Sequence, residues 1–156
     1  MIKSVDFSSR PFKAEGEDGQ TYTADTVIIS TGASARWLGL ESETKFQNNG
    51  VSACATCDGF FFQDQDVCVV GGGNSAVEEA LYLSKIAKSV TLIHRRDSLR
   101  AEQILQDRLF ADEKISVIWN STVEEIMGDE TVNKIKLRST EDNSIVELET
   151  NGVFVA

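Results

Sequence analysis

With 156 residues, the chain is about one domain long by the usual size prior and too short for two full domains of ordinary size. Its 41% hydrophobic and 26% charged residues, with 11 Gly and a single Pro, suit a globular chain that buries a core and exclude a collagen-like or Pro-rich disordered one. The net charge of −10 is a poor balance for wrapping nucleic acid or an anionic membrane. No apolar run reaches the length of a membrane span, and the start, Met1 to Asp6, lacks the apolar core of a signal peptide. The expectation is a cytoplasmic protein with neither nucleic acid nor membrane as partner. Three Cys are too few for a disulfide framework. In a reducing compartment a close Cys pair points instead to redox catalysis or metal binding.

Residues 1–25 are polar, with the acidic stretch Glu15-Gly16-Glu17-Asp18-Gly19, and predict short strands and a turn. Asp25 to Gly32 is a continuous apolar run ending at Gly, the pattern of a strand buried on both faces. Residues 33–49 read as connecting structure. The strand Val67-Cys68-Val69-Val70 runs into Gly71-Gly72-Gly73, and a helix of about four turns is predicted to follow. Its stripe Ala76, Ala80, Leu83 and Ala87 steps by four, three and four, the spacing of a face packed on a sheet, and Asn74 is the expected N-cap. Val90 to Ile93 is the next strand, parallel to the first because a helix joins them. A second helix is expected over about 98–111, with Ala101, Ile104, Leu105 and Leu109 inward, and a third strand at 115–119. Residues 122–150 alternate as an antiparallel meander, and Gly152 to Ala156 begin a further apolar strand. The fold class is α/β: a Rossmann-like three-layer domain with a parallel sheet and an antiparallel β-meander at 49–156, preceded by a β-rich segment and linker at 1–48.

Gly71-Gly72-Gly73-Asn74-Ser75-Ala76 fits the G-x-G-x-x-G/A pattern in the strand–turn–helix setting that gives it meaning. Gly71 permits the tight turn, Gly73 admits a pyrophosphate to the backbone, and Ala76 lets helix and strand pack closely. The helix start then offers free N–H groups to the phosphates. Where an NAD site places an acid on the ribose hydroxyl, this chain has His94-Arg95-Arg96, with Arg100 one turn on. Arg forks bond phosphate oxygens in pairs, so the expected ligand is NADPH, with its 2′-phosphate. The plainer readings are a solvated basic helix start, or partners for Glu102 and Asp97.

Cys54-x-x-Cys57 is the second constellation: two thiols so spaced can close into a disulfide and reopen. Asp58 follows directly and could move protons. The alternatives are a zinc site drawing on Cys54, Cys57, Cys68 and His94, and two inert thiols. Zinc wants four such ligands, and Cys68, in a strand, reads as core, so no metal is expected. A disulfide beside an NADPH site implies a flavin between them, yet no second Gly-rich turn is present.

These residues resemble the low-molecular-weight, bacterial-type thioredoxin reductases. Cys54 to Phe61 is similar to that family's redox motif, Gly71 to Leu83 to its NADPH turn and helix, and His94 to Asp97 with Arg100 to Glu102 to its 2′-phosphate loop. Ser30 to Arg36 resembles the stretch linking its FAD domain to the redox motif. The resemblance implies that Cys57 lies against the flavin, that Cys54 attacks the thioredoxin disulfide and that Asp58 is the acid–base group. It implies that Arg95, Arg96 and Arg100 hold the 2′-phosphate with His94 nearby, that Glu78 approaches the nicotinamide, and that Thr31 and Gly32 touch FAD. It further implies a homodimer. The family's own FAD turn and its closing Gly-Asp flavin contact are not in this sequence, so the chain is expected to bind NADPH but not to hold FAD or reduce thioredoxin alone. Val27, Ile28 and Ile29 would then present unpaired apolar edges. The rival readings are the flavoprotein reductase of an alkyl hydroperoxide peroxidase system, whose Cys pair usually brackets Pro-His where this chain has Ala55-Thr56, and a bare NADPH-binding module without turnover.

Overall fold

The computed structural model describes residues 1–32 and 34–156. Ala33, in the linking stretch, lies outside the described residues. The chain divides into two compact units, Met1–Ser34 and Ala35–Ala156. The sequence reading drew its boundary after residue 48, and residues 35–48 here belong with the second unit.

The first unit is an antiparallel sheet of β1 (Ile2–Asp6), β2 (Phe12–Gly16) and β3 (Thr21–Ala24). The expected strand over Asp25 to Gly32 does not form. A strand exists only by pairing, and β3 bonds to β2 alone. Val27, Ile28 and Ile29 are therefore left exposed, Ile28 at 92%.

The second unit is built on a five-stranded parallel sheet in the order β4-β11-β5-β6-β7. Its strands are β4 (Val51–Ser52), β5 (Asp66–Val70), β6 (Ser89–Ile93), β7 (Ile115–Ile118) and β11 (Gly152–Val155). The two-residue periodicity of a strand sorts its side chains onto two faces. Val67, Val69, Val90, Leu92 and Phe154 face α3 (Asn74–Leu83) and α4 (Gln103–Phe110). Cys68, Ile93, Val153 and Val155 face the meander β8 (Ser121–Gly128), β9 (Val132–Ser139) and β10 (Ile145–Glu149). The three layers predicted from sequence are thus present, with a core on each side of the sheet.

Both helices are shorter than expected, for local reasons. The helix after the Gly turn stops at Leu83 because the Ser84 hydroxyl donates to the Leu81 carbonyl, a local bond that competes with the helix. The following bonds tighten to the i→i−3 type, Lys85 to Tyr82 and Ile86 to Leu83, and still turn Ala87 fully inward. The second helix starts at Gln103 rather than 98. The Arg100 N–H donates to the Gly72 carbonyl and the Glu102 N–H to Asn74 Oδ1, which holds residues 97–102 out of helical geometry. Ile104, placed inward by spacing, is 58% exposed, while Leu109 is fully buried.

The connecting stretch contains α1 (Glu41–Lys45), which packs against β8. Glu43 is buried there, its carboxylate accepting N–H bonds from Leu38 at 2.8 Å and Gly39 at 2.9 Å. Its charge is thereby compensated by the backbone.

Candidate active site

The C-terminal ends of β5, β6 and β11 meet at one crevice, where the strand order reverses direction about β5. Open α/β sheets take their ligands at such a point. A cavity of about 500 Å³ lies there, lined by Gly71, Gly72, Gly73, Ser75, Ala76, His94, Arg95 and Arg100, with Arg36 and Thr122 across from them.

The three glycines answer to three different neighbours. A Cβ on Gly71 would stand 2.7 Å from Ala76 Cβ and 2.7 Å from the Ala156 carbonyl oxygen, so the close helix–strand approach read from the motif is real. A Cβ on Gly73 would meet nothing within 4 Å: that face is open, as a backbone meant to receive a phosphate must be. A Cβ on Gly72 would collide with the His94 ring. Sequence reasoning gave His94 only a place near the phosphate loop; the imidazole in fact packs on the middle glycine.

His94 is 5% exposed, and its Nε2 has no hydrogen-bond partner. Burial lowers its pKa from the usual value, more than the Gly71 and Ser98 backbone raises it, and the Arg100 and Arg96 charges lower it further. It is therefore a neutral ring at neutral pH.

Asn74 is not the N-cap. That position is taken by Gly73, and Asn74 is the first helical residue. Its side chain instead accepts the Glu102 N–H at 2.9 Å. With the 2.8 Å bond from Arg100 N–H to the Gly72 carbonyl, this ties the Arg-bearing loop to the Gly turn. Arg95, Arg96 and Arg100 are exposed. Among the described residues, no ion pair engages them, so the alternative pairing with Asp97 or Glu102 is absent and their charge is free. Arg95 and Arg100 line the cavity; Arg96 does not.

Cys54 and Cys57 are joined in a disulfide with Cα atoms 5.3 Å apart. Cys54 caps α2 (Ala55–Asp58), and its carbonyl accepts the N–H groups of Cys57 and Asp58. The Thr56 hydroxyl lies 3.5 Å from Cys54 Sγ. A short 3₁₀ turn, Gly59–Phe62, follows. Phe62 anchors it, packing edge-on to Phe154 of β11 at 5.3 Å over Gly152. Phe60 and Phe61 are left 73% and 72% exposed beside the disulfide. Which of the three consecutive Phe is the anchor depends on Gly152, 90 residues away from Phe62 in chain order.

The side chains a zinc site would draw on are not brought together; among the described residues, no group of three or more metal-ligating side chains occurs. Cys68 is fully buried on the meander face, and burial pushes its thiol up to about 12.

A second cavity, of about 300 Å³, joins the two constellations. It is lined by Ala55 and Thr56 of the redox turn and by Ser75, Glu78, Glu79 and Tyr82 of α3. Ser75 lines the crevice at the Gly turn as well, so the first turn of α3 borders both cavities. Glu79 was missed by sequence reading. Burial raises its carboxyl above the usual range, partly offset by the Ala55 backbone, and its Oε2 is buried without a partner. Thr31 and Gly32, the expected FAD contacts, lie in the first unit and are exposed; Gly32 has φ 74°. Two exposed residues do not by themselves make a flavin site.

Residues 2–156 match the family model described as pyridine nucleotide-disulphide oxidoreductase. The chain is 57% identical to a thioredoxin reductase of Vibrio cholerae, over 99% of this chain and 50% of that protein. It is 54% identical to a Pseudomonas fluorescens protein named glucosaminate ammonia-lyase, over 99% and 49%. The crystal structure of Lactococcus lactis thioredoxin reductase superposes with a TM-score of 0.82 at 40% identity, covering 99% of this chain and 51% of that one. The chain thus spans about half the length of the curated relatives it matches. The family model spans nearly the whole chain, and the chain belongs to the pyridine nucleotide-disulphide oxidoreductases.

Proposed function

We propose that this chain carries the NADPH-binding and disulfide-bearing part of a thioredoxin reductase. The observation that carries the reading is the joining of the two constellations through α3. A Gly turn with unpaired Arg side chains, and the Ala55-Thr56 turn that the disulfide brackets, flank the same helical turn at Ser75.

Bound NADPH supplies a hydride, that is, two electrons and one hydrogen. Reducing a disulfide to two thiols takes two electrons and two protons, so a further proton must come from the protein or solvent. Asp58, one residue past the pair, is the group assigned to deliver it. Gly73 leaves the backbone open to the pyrophosphate. Arg95, Arg96 and Arg100 hold the 2′-phosphate, and neutral His94 supports the turn beneath them. Gly71, Gly72 and Ala76 shape the turn, Asn74 and Ser75 fix its helix start, and Glu78 stands toward the nicotinamide. Cys57 faces the electron donor and Cys54 attacks the partner disulfide. Thr31 and Gly32 would contribute to holding an FAD, which when bound would pass electrons from the nucleotide to the disulfide. Exposed Phe60 and Phe61 offer thioredoxin an apolar landing beside the disulfide. The whole protein is read as a cytoplasmic homodimer. Among the described residues, no helix is long and apolar enough to cross a membrane.

Titration calorimetry with NADPH and NADH tests the reading. NADPH should bind more tightly. Replacing Arg95, Arg96 and Arg100 singly by Ala should each weaken NADPH about ten- to hundredfold, the worth of a hydrogen bond to a charged group, and leave NADH nearly unaffected. Equal affinity for the two nucleotides would overturn the assignment. The purified chain should be colourless and should not reduce thioredoxin by itself.

A further inference from the structure

Ser52 ends β4, two residues before the disulfide, and is 7% exposed. Its hydroxyl makes two close bonds that ring the redox turn, with the Cys54 carbonyl oxygen a longer contact at 3.5 Å. Oγ accepts the backbone N–H of Cys54 at 3.0 Å and donates to Asp58 Oδ2 at 2.5 Å. A hydroxyl has one proton to give, and of its two acceptors Asp58 at 2.5 Å is far closer than the Cys54 carbonyl at 3.5 Å. The carboxylate is thus tied to the backbone of the first cysteine, and both are tied to the sheet, because β4 pairs with β11.

On its other side Asp58 borders a cavity of about 230 Å³ lined by Asn48, Gly50, Phe61 and Phe62. That lining brings no second charged group to Asp58. The orientation of its carboxylate therefore rests on Ser52.

We infer that Ser52 is a positioning residue for opening and closing the Cys54–Cys57 bond: its hydroxyl holds Asp58 where it can exchange a proton with the cysteine thiolate. The inference rests on the redox reading of the disulfide and extends it to a residue outside the CxxC turn. The step it serves is balanced. A thiolate attacks one sulfur and the S–S bond breaks. The other cysteine leaves with the electron pair as a thiolate, and Asp58 relays to it a proton taken up from solvent.

The test needs neither flavin nor nucleotide. Reduction of the disulfide in the 156-residue chain by dithiothreitol, which supplies both electrons and both protons, is followed across a pH series. Wild type is compared with Ser52→Ala and Asp58→Asn. Ser52→Thr and Ser52→Val, which differ only by hydroxyl against methyl, control for size and folding. General acid–base help is worth about a hundredfold or more. Loss of its positioning should slow reduction about tenfold or more and flatten the pH profile, as in Asp58→Asn. Ser52→Thr should keep the wild-type profile and Ser52→Val should lose it. Wild-type behaviour in both Ser52→Ala and Ser52→Val would overturn the inference alone. A wild-type disulfide that dithiothreitol does not open would overturn the redox reading, and this inference with it.

Discussion

The Gly turn shows how three identical residues come to have three separate physical duties. Gly73 faces open space, with φ −95°, a backbone that Ala adopts freely. Gly73→Ala should change stability by less than about 1 kcal/mol, yet weaken NADPH by placing a methyl where a phosphate approaches. Gly72→Ala would press a methyl into the His94 ring and should cost about 1–3 kcal/mol, the usual penalty of overpacking. Denaturant unfolding and nucleotide titration on the two variants separate these outcomes. His94 is the only histidine in the chain, so its ring proton resonance can be followed without overlap. Burial lowers its folded pKa. The stability it brings is present above the ordinary imidazole pKa and is lost as pH falls through the folded value. Unfolding midpoints should fall on acidification in that window, and His94→Asn should remove that dependence.

At the scale of elements, packing and competing hydrogen bonds decided what periodicity could not. The stripe Ala76, Ala80, Leu83 and Ala87 is buried throughout, and Leu83→Ala should cost about 2–5 kcal/mol by chemical denaturation. The helix boundaries were less legible. Ser84, Arg100 and Asn74 each form a bond that stops or delays a helix, and two of the three partners are distant in sequence. Glu79 illustrates the same limit, since nothing in an amphipathic pattern says that one carboxylate will be pressed against the redox turn. Its folded pKa is raised by burial. The stability it contributes is full at low pH and is lost as pH rises through the folded value. Glu79→Gln should therefore stabilise the chain near neutrality, by less than about 1 kcal/mol after allowing for solvent screening, and change little in acid. Unfolding midpoints at the two pH values check this.

For the molecule as a whole, the −10 net charge makes the free Arg loop the exception on an acidic chain. NADPH affinity should fall as salt is raised, because exposed charges attract through a screened field; calorimetry over a salt series measures it. The composition, the parallel sheet, the meander, the Gly turn and the Cys pair were all legible in the sequence. Each is written in local spacing: alternation for strands, a small-residue run at a phosphate turn, two thiols three apart. What only the tertiary structure decided were relations between segments. Val27 to Ile29 has the composition of a buried strand but no partner strand in its unit, and a strand cannot exist without one. The seating of His94 on Gly72, the anchoring of Phe62 over Gly152 and the Ser52–Asp58 bond all join residues by shape and hydrogen bonding rather than by spacing. Sequence pattern reports which face a residue shows, whereas the identity of the neighbour it meets there is set when the chain closes on itself.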